Sequence, residues 1–306
     1  MHIVTRGVVF VLGLILIAAA TLMFFRPTHE LPDSSQESTY LDYIADNLAH
    51  GGVRKDGIPA IDTPLYITPE AARNEEHLGD DELIFGVHHE GKTLAIPQKI
   101  LYWHEIVNEE GFSVTYCPLT GTVIGYEDVN LGVSGKLYNS NLVMYDRKTD
   151  SYYPQMLGTA VTGPEKGTSL TTFPVAVTTF GQWTALYPET QVLSQQTGHA
   201  RDYDNPPYQG YEDALRLYFA VAEEDDRYHT KRMVHGILYK GKAYTVLKEE
   251  LGKLVYDTGD GILTITQNTT LGSIDVVDDK GSHITHYDAY WFAWYAYNPE
   301  TIVVNP

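Results

Sequence analysis

The sequence has little cysteine and little positive charge. Its 306 residues include one cysteine, and 40 Asp and Glu against 21 Lys and Arg give a formal net charge of −19. A single cysteine excludes an internal disulfide and any site built from several cysteines, such as a CxxC redox pair, a four-cysteine zinc site or an iron–sulfur cluster. The acidic balance repels phosphate backbones, so we expect no nucleic-acid partner.

Several catalytic and metal-binding motifs are also absent. The sequence has no phosphate-binding loop and no HExxH motif, and Gly132-Val-Ser-Gly135 is not a Gly-x-Ser-x-Gly elbow. The acidic run at Asp275 lacks the alternating spacing of a calcium loop. With 43% hydrophobic and 20% charged residues the chain is neither disordered nor fibrous, and its length suggests about two domains.

One long apolar run stands near the N-terminus. Residues 8–25 are almost unbroken in apolar character, which just meets the length of a membrane-spanning helix. A cleavable signal peptide would end at small residues such as Ala18-Ala19-Ala20, whereas this run continues to Phe25. We therefore predict an uncleaved, single-pass anchor over residues 1–26 in the cell membrane, with the acidic domain outside. Residues 27–56, rich in Pro, Ser and acidic residues, are interpreted as a stalk.

The rest of the chain contains an internal repeat. Gly86–Ile96 matches Gly236–Val246 at an offset of 150 residues. A pattern of two aromatic residues followed by Pro-Glu-Thr begins at Phe180 and recurs at Trp291, at an offset of 111, so the second copy is 39 residues shorter between the two blocks. The predicted divisions are a first copy (57–200), a connector (201–230) and a shorter, structural second copy (231–306).

The local patterns are mostly typical of strands. Residues 82–88 and 93–96 flank a Gly-Lys turn and predict a hairpin. Residues 97–108 carry apolar side chains at helical spacing after an opening proline. Residues 179–187 and 290–297 predict one short aromatic helix in each copy. Together the patterns predict an α+β, β-rich fold of two unequal, internally duplicated lobes with short helices.

Residues found in only one copy indicate where a site lies, because residues shared by both copies are explained by the fold. At the offset of 150, Leu254 lies opposite His104 and Gln267 lies opposite Cys117. The 39 residues that the second copy lacks include the segment 138–146. We therefore expect any functional site in the first copy.

Cys117 is the candidate nucleophile of that site. It ends a predicted strand in a Gly- and Thr-rich turn whose backbone amides could lower the pKa of the thiol. The thirteen residues between His104 and Cys117 could bring the imidazole against the thiol as a base, with Asp146 or Glu105 orienting it. Asn139 is a further candidate for an orienting polar group. Together these residues are interpreted as a thiol-centred site.

Two other interpretations use the same atoms. Cys117 can be a small buried hydrophobe, as free cysteines often are, with His104 packed on Trp103. Alternatively His104, Cys117 and a thioether such as Met144 or Met156 would suit a copper ion. No cofactor is certain from the sequence, and copper is the possible one.

A non-catalytic function is also open. A crowd of tyrosines in the first copy either packs across strands or lines a groove for a carbohydrate or peptide. In the second case the protein is a cell-surface or envelope binding module with a tyrosine-rich face. These tyrosines are Tyr116, Tyr126, Tyr138, Tyr145, Tyr152 and Tyr153.

Four segments carry a family resemblance, namely Asp56–Asp62, Trp103–Asn108, Val114–Thr122 and Gly132–Asp146. The last three contain the strings WHEIVN, VTYCPLTGT and GVSGKLYNSNLVMYD. In this order they resemble domain-of-unknown-function family 3179, over essentially everything after the stalk. The resemblance implies kinship in fold and no particular biochemistry.

Overall fold

Short strands and a few short helices make up residues 34–247 and 251–304, the part of the chain that the structure, a computed structural model, describes. This confirms the prediction of a strand-rich α+β fold. The helices of this part are α1 (Ser34–Asp46), α2 (Pro69–Glu75), α3 (Gln98–His104), α4 (Phe180–Leu186) and α5 (Trp291–Tyr297). The strands of the first copy and its N-terminal flank are β1 (Ala49–His50), β2 (Tyr66–Ile67), β3 (Leu83–His89), β4 (Lys92–Pro97), β5 (Ile106–Asn108), β6 (Phe112–Cys117), β7 (Thr122–Glu127), β8 (Leu131–Tyr138), β9 (Asn141–Asp146), β10 (Tyr152–Pro154), β11 (Thr172–Phe173), β12 (Ala176–Thr179) and β13 (Gln191–Leu193). Those of the second copy are β14 (Met233–Tyr239), β15 (Lys242–Val246), β16 (Lys253–Asp257), β17 (Ile262–Gln267), β18 (Ile274–Asp278), β19 (His286–Tyr290) and β20 (Ile302–Val303).

The segment interpreted as a stalk contains α1, which packs on the domain. Leu41 and Ile44 are three residues apart and so share one face of the helix. Both are buried in a cluster with Tyr138 and Val143. Residues 34–46 are therefore part of the folded domain. The predicted anchor over residues 8–25 lies outside the described residues, and within the described residues no helix is long and apolar enough to span a membrane.

Two of the sheets have the same connectivity. Their strand orders are β12-β3-β4-β13-β2 and β19-β14-β15-β20. In each sheet an antiparallel strand that leads into a helix flanks the hairpin on one side, and a parallel strand that follows the helix flanks it on the other. The two hairpins, β3–β4 and β14–β15, are the segments that match in the sequence repeat.

Each of these sheets contacts its helix through one glycine and one tryptophan. A Cβ atom at Gly86 would lie 2.4 Å from the ring of Trp183, and one at Gly236 would lie 2.1 Å from the ring of Trp294. Only a residue without a side chain lets the ring approach the strand this closely. The repeated glycines of the sequence are thus explained by helix-to-sheet packing.

Two further sheets surround the candidate site. The order β11-β7-β6-β5 places Cys117 at the end of an inner strand, and the order β1-β8-β9-β10 lies beside it. Most of the second of these sheets comes from the segment that the second copy lacks. At the offset of 150, the three-stranded sheet β16-β17-β18 of the second copy corresponds to strands β5, β6 and β7 of the first.

Helix α3 is shorter than predicted. The periodicity predicted a helix over residues 97–108, but α3 ends at His104. Glu105 adopts a left-handed conformation, with φ of 58°, and its N–H donates to the carbonyl of Leu101. The β-branched Ile106 and Val107 that follow favour a strand, and Ile106 pairs with Thr115 of β6.

Candidate functional site

The Cys117 thiol lies where β6 meets the β8–β9 hairpin. Cys117 is the last residue of β6, pairs with Thr122 and is 1% exposed. Its Sγ accepts a hydrogen bond from the backbone N–H of Leu142 at 3.3 Å and donates to the carbonyl of Ser140 at 3.8 Å. The thiol therefore touches the segment that only the first copy has.

Burial keeps this thiol protonated. It raises the pKa of Cys117 to about 11, and the negative charge of Glu105 adds to the rise. Hydrogen bonds from Thr120 and Leu142 lower the pKa, as expected for donors in the turn, but burial outweighs them. The thiol is therefore almost entirely protonated at pH 7.

His104 does not contact Cys117. It is fully buried, and its Nδ1–H donates to the carbonyl of Pro59 at 2.7 Å. Its Nε2 accepts from the hydroxyl of Tyr203, in the connector, at 2.8 Å. Burial is the main reason that the pKa of His104 falls to about 4. Both ring nitrogens thus serve to join the start of the domain to the connector, and the predicted thiol–imidazole pair is not formed.

Glu105 takes the place next to the thiol that the sequence analysis assigned to His104. Its carbonyl accepts a hydrogen bond from Tyr116, the neighbour of Cys117, at 2.6 Å. The side chain is 7% exposed, and burial alone raises the pKa of its carboxyl to about 8. The carboxylate charge raises the pKa of Cys117 and of Tyr208 in the connector. Glu105 is therefore the acidic group of the site.

Asn139 fastens the connector rather than orienting a histidine. Asn139 and Ser140 have φ of 49° and 62° and form the tight turn of the β8–β9 hairpin. The Asn139 amide donates to the carbonyl of Ala296 at 3.1 Å and accepts from the N–H of Ala222 at 2.9 Å. The Ser140 hydroxyl donates to the carbonyl of Phe219 at 2.7 Å. One turn thus contacts the thiol and also binds the connector.

A buried amide network that the sequence analysis missed lies below the thiol. Asn141 donates to Gln155 Oε1 at 2.8 Å and to Thr120 Oγ1 at 3.0 Å. Gln155 in turn donates to the hydroxyl of Thr115 at 2.9 Å. All four side chains are completely buried. Asn141 stands in a segment that the copy comparison singled out, but no sequence signal pointed to Gln155.

Asp146 lies at the far end of β9 from the thiol. Four residues of strand, roughly 13 Å, separate it from Leu142. Its carboxylate accepts hydrogen bonds from the N–H of Lys148 at 3.1 Å and from the N–H of Thr149 at 3.0 Å. Asp146 therefore stabilises its own turn, and the structure does not bring it to Cys117.

The copper interpretation finds little support in this geometry. Met144 is fully buried and belongs to the same apolar cluster as Cys117. His104 points to Pro59 and Tyr203 instead. Over residues 34–247 and 251–304 there is no group of three or more His, Cys, Asp and Glu side chains that could hold a metal ion.

The six tyrosines named as a candidate binding face do not form an exposed surface. All but Tyr152 are buried, and Tyr152 is half-buried. They pack across strands, as in the contacts of Tyr116 with Phe85 and of Tyr145 with Tyr152. The more exposed tyrosines lie on α1 and on the connector, where Tyr43 and Tyr218 are each 54% exposed.

The connector covers the thiol and is itself fastened by a lysine. Tyr211 belongs to the same buried cluster as Cys117, and Tyr208 packs against that cluster. Burial, and in second place the charges of neighbouring groups that include Cys117, raises the pKa values of both phenols. Lys231 is buried, and its Nζ lies 3.4 Å from the centre of the Tyr211 ring. The same Nζ donates to the carbonyls of Tyr211, Ala214 and Arg216. These contacts hold residues 211–216 of the connector in one conformation.

A groove of about 720 Å³ runs along the outer side of the connector. Its lining contains both apolar and acidic residues. The apolar lining includes Leu215, Leu217, Phe219 and Phe292, and the acidic lining includes Glu224 and Asp226. Phe219, which lines the groove, also accepts the hydrogen bond of Ser140 through its carbonyl, so the segment that lines the groove is fastened to the β8–β9 turn.

Comparison with known proteins gives a family and nothing beyond it. Neither the curated proteins nor the solved structures contain a match to this chain. Residues 55–301 match the family described as "Protein of unknown function (DUF3179)", which covers the first copy, the connector and nearly all of the second copy. The chain therefore belongs to the DUF3179 family.

Proposed function

We propose that the protein carries a thiol-centred site in which Cys117 is the nucleophile and Glu105 is the base, closed by the connector in the state described. The observation that carries this proposal is the Glu105 carboxyl, which is buried beside a buried thiol and raised in pKa to about 8 by burial alone. A purely structural role would be filled at lower cost by an apolar residue, because burying an acid without a charge partner is unfavourable.

In the closed state both groups are neutral at pH 7. Glu105 is mostly protonated, because burial raises its pKa to about 8. The thiol is protonated as well. The site is therefore chemically inactive until the connector moves.

Opening the connector lowers the pKa values of both Glu105 and Cys117, and both changes favour the reaction. Water that reaches the site removes the burial that raises them, so Glu105 ionises and the thiol becomes easier to deprotonate. The Glu105 carboxylate then takes the proton of the thiol and becomes a carboxylic acid, which leaves Cys117 as the nucleophilic thiolate. The amide network of Asn141 and Gln155 keeps the strand ends that carry the thiol in place.

The reactivity of the thiol tests this proposal. Because Cys117 is the only cysteine, alkylation of the full-length protein in detergent by iodoacetamide reports on one site. Ser140→Ala removes the hydrogen bond to Phe219 that holds the connector. Loss of a bond worth about 1 kcal/mol should raise the population of the open state, and the alkylation rate, about fivefold.

The matched control is Ser169→Ala, which removes an exposed hydroxyl bonded to Thr159 and should leave the rate unchanged. In the proposed mechanism the alkylation rate of Cys117 does not change at low urea concentrations, because only the connector opens. If the rate follows global unfolding, with the urea dependence of the whole domain, Cys117 is a structural residue and the proposal is wrong.

The groove on the connector favours a second candidate, a binding module. Its acidic and apolar walls suit a cationic amphipathic peptide. Asp226→Lys should weaken the binding of such a peptide to the full-length protein, as measured by fluorescence anisotropy. Glu189→Lys, which makes the same charge change at an exposed residue outside this groove, should not. Equal effects of the two substitutions would show that the peptide binds through non-specific attraction to an acidic protein and not in this groove.

We further propose that the domain is held at the outer face of the cell membrane by residues 8–25, and that its two copies arose by internal duplication. The apolar run supports the anchor. The shared strand connectivity and the repeated Gly–Trp contacts support the duplication. An envelope or surface partner is consistent with this location.

A further inference from the structure

A cluster of three polar side chains, two of them buried and one half-buried, lies in the second copy. His235 is on β14, and His286 and Asp288 are on the adjacent strand β19. His235 is paired directly with Asp288 across the two strands, and His286 is paired with Ile237. Side chains at alternate positions of a strand share one face, so the three polar groups lie together.

The three groups form one chain of hydrogen bonds. His235 Nδ1 lies 2.7 Å from Asp288 Oδ1, and both side chains are only 5% exposed. His235 Nε2 lies 2.9 Å from His286 Nδ1. A carboxylate accepts hydrogen bonds, so the first contact puts a proton on His235 Nδ1. His235 Nε2 then accepts a hydrogen bond from His286 Nδ1–H.

The first copy shows that the fold does not need these polar groups. In the corresponding sheet the directly paired residues are Phe85 and Val177, where the second copy has His235 and Asp288. The position corresponding to His286, 111 residues earlier, is Val175. The same arrangement of strands thus closes over three apolar side chains in one copy and over a His–Asp–His chain in the other. Burial of charged and polar groups costs stability that the apolar residues would not cost.

The chain of hydrogen bonds leads to a small cavity. His286 lines a space of about 50 Å³ together with Thr172 and Phe173 of the first copy and with His283 and Thr285. The Thr172 and Thr285 hydroxyls are hydrogen-bonded to each other at 3.1 Å. The cavity is large enough for a water molecule or a hydroxyl group, and its walls provide polar partners for one.

We propose that Asp288, His235 and His286 form a proton relay that makes His286 a general base for a water molecule or hydroxyl group bound in this cavity. A proton passes from the bound oxygen to His286 Nε2. The Nδ1 proton of His286 moves to His235 Nε2, and the Asp288 carboxylate balances the charge of the resulting imidazolium. His286 is the catalytic residue of this second site, and His235 and Asp288 are positioning residues.

The tautomers of the two histidines test the relay directly. The full-length protein in detergent micelles, labelled with ¹⁵N in its histidine rings, gives the tautomer of each ring from long-range ¹H–¹⁵N spectra. We expect the Nδ1–H tautomer for both His235 and His286. His50→Gln, which removes an exposed histidine of β1 that does not line this cavity, should leave both signals in place. An Nε2–H tautomer at His286 would contradict the relay, because that ring would have no Nδ1 proton to pass on.

A second variant and a titration complete the test. His235→Phe/Asp288→Val/His286→Val gives the second copy the residues of the first, and we expect its Tm to equal or exceed that of the unsubstituted protein. A lower Tm would mean that the trio is a structural requirement. Addition of Zn²⁺ should leave the two histidine signals unchanged. Their disappearance with Zn²⁺, reversed by a chelator, would make the pair a metal site and overturn the relay.

Discussion

Burial without a charge partner sets the protonation of Glu105. Its carboxyl is 7% exposed, and its pKa rises from 4.5 to about 8 through burial alone. The neighbouring Cys117 responds to the same burial and to the charge of Glu105. The two residues are buried close together, so a negative charge on either one opposes ionisation of the other.

Glu105→Gln should remove a pH dependence of stability. Between pH 4.5 and about 8 the folded protein keeps the proton of Glu105 while the unfolded chain releases it. The folded state therefore binds more protons, and the free energy of unfolding falls as pH rises through this window, by at most about 1.4 kcal/mol per pH unit.

Urea unfolding of the full-length protein and of the variant, at about pH 5, 6.5 and 8, measures the difference between the two. The variant should gain stability relative to the unsubstituted protein as pH rises. Glu189→Gln, an exposed control, should show no such gain. A difference that is constant with pH would place the titration of Glu105 outside this window.

The position of the thiol could be predicted from sequence, but its neighbour could not. The Pro and Gly that follow Cys117, together with the copy comparison, were sufficient to put it at a strand end in the first copy. Choosing between His104 and Glu105 depends on where α3 ends. That end is set by a left-handed residue and by strand pairing with β6, and the sequence period alone does not encode either.

Helices α4 and α5 are fixed to their sheets in the same way. Trp183 Nε1 donates to the hydroxyl of Thr190 at 3.0 Å, and Trp294 Nε1 donates to that of Thr301 at 2.9 Å. Both threonines belong to the repeated Pro-Glu-Thr motif. The motif was recognisable from sequence. The structure explains its threonine, because the hydroxyl accepts a hydrogen bond from a buried indole.

Thr190→Val and Thr301→Val should each lower the free energy of unfolding by about 1 to 3 kcal/mol. Valine keeps the shape but leaves the buried indole N–H without its acceptor. Thr→Ser at the same positions retains the hydroxyl and should cost less. Chemical denaturation measures both series. A loss at Thr190 with none at Thr301 would show that the two helices are not fixed in equivalent ways.

Hairpins and aromatic helices were predicted correctly because their signals are local. Turn residues and apolar periods lie within a few positions of one another in β3–β4, β14–β15 and α5. The packing of α1 on the domain was not predicted, because Leu41 and Ile44 meet residues about one hundred positions away. The His–Asp–His chain was missed for the same reason, since His235 and Asp288 are distant in sequence.

The whole molecule combines an acidic domain with one apolar N-terminal run. A net charge of −19 favours solubility and repels other acidic surfaces. An apolar segment of eighteen residues favours the membrane instead. The two tendencies are compatible only if different parts of the chain occupy different environments.

The full-length protein should therefore sediment with membranes and remain there after an alkaline wash. Protease added outside intact cells should remove the domain, because the domain is expected to face outward. Replacing three leucines of the run by lysine should release the protein, since charges at the centre of a spanning helix are costly. Recovery of a shortened, soluble protein whose N-terminus follows Ala20 would identify a cleaved signal peptide instead.

The turn at Asn139 and Ser140 gives the molecule an unusual tolerance to being cut. It binds Phe219 and Ala222 of the connector and Ala296 of α5, while Lys231 binds the carbonyls of residues 211–216 from the other side. Arg216 is exposed between these attachments. A protease that cleaved after Arg216 would therefore leave two fragments held together by non-covalent contacts, among them the backbone hydrogen bond from Tyr290 to Thr120 and a shared apolar cluster. The fragments would still migrate as one particle and would separate only in denaturant.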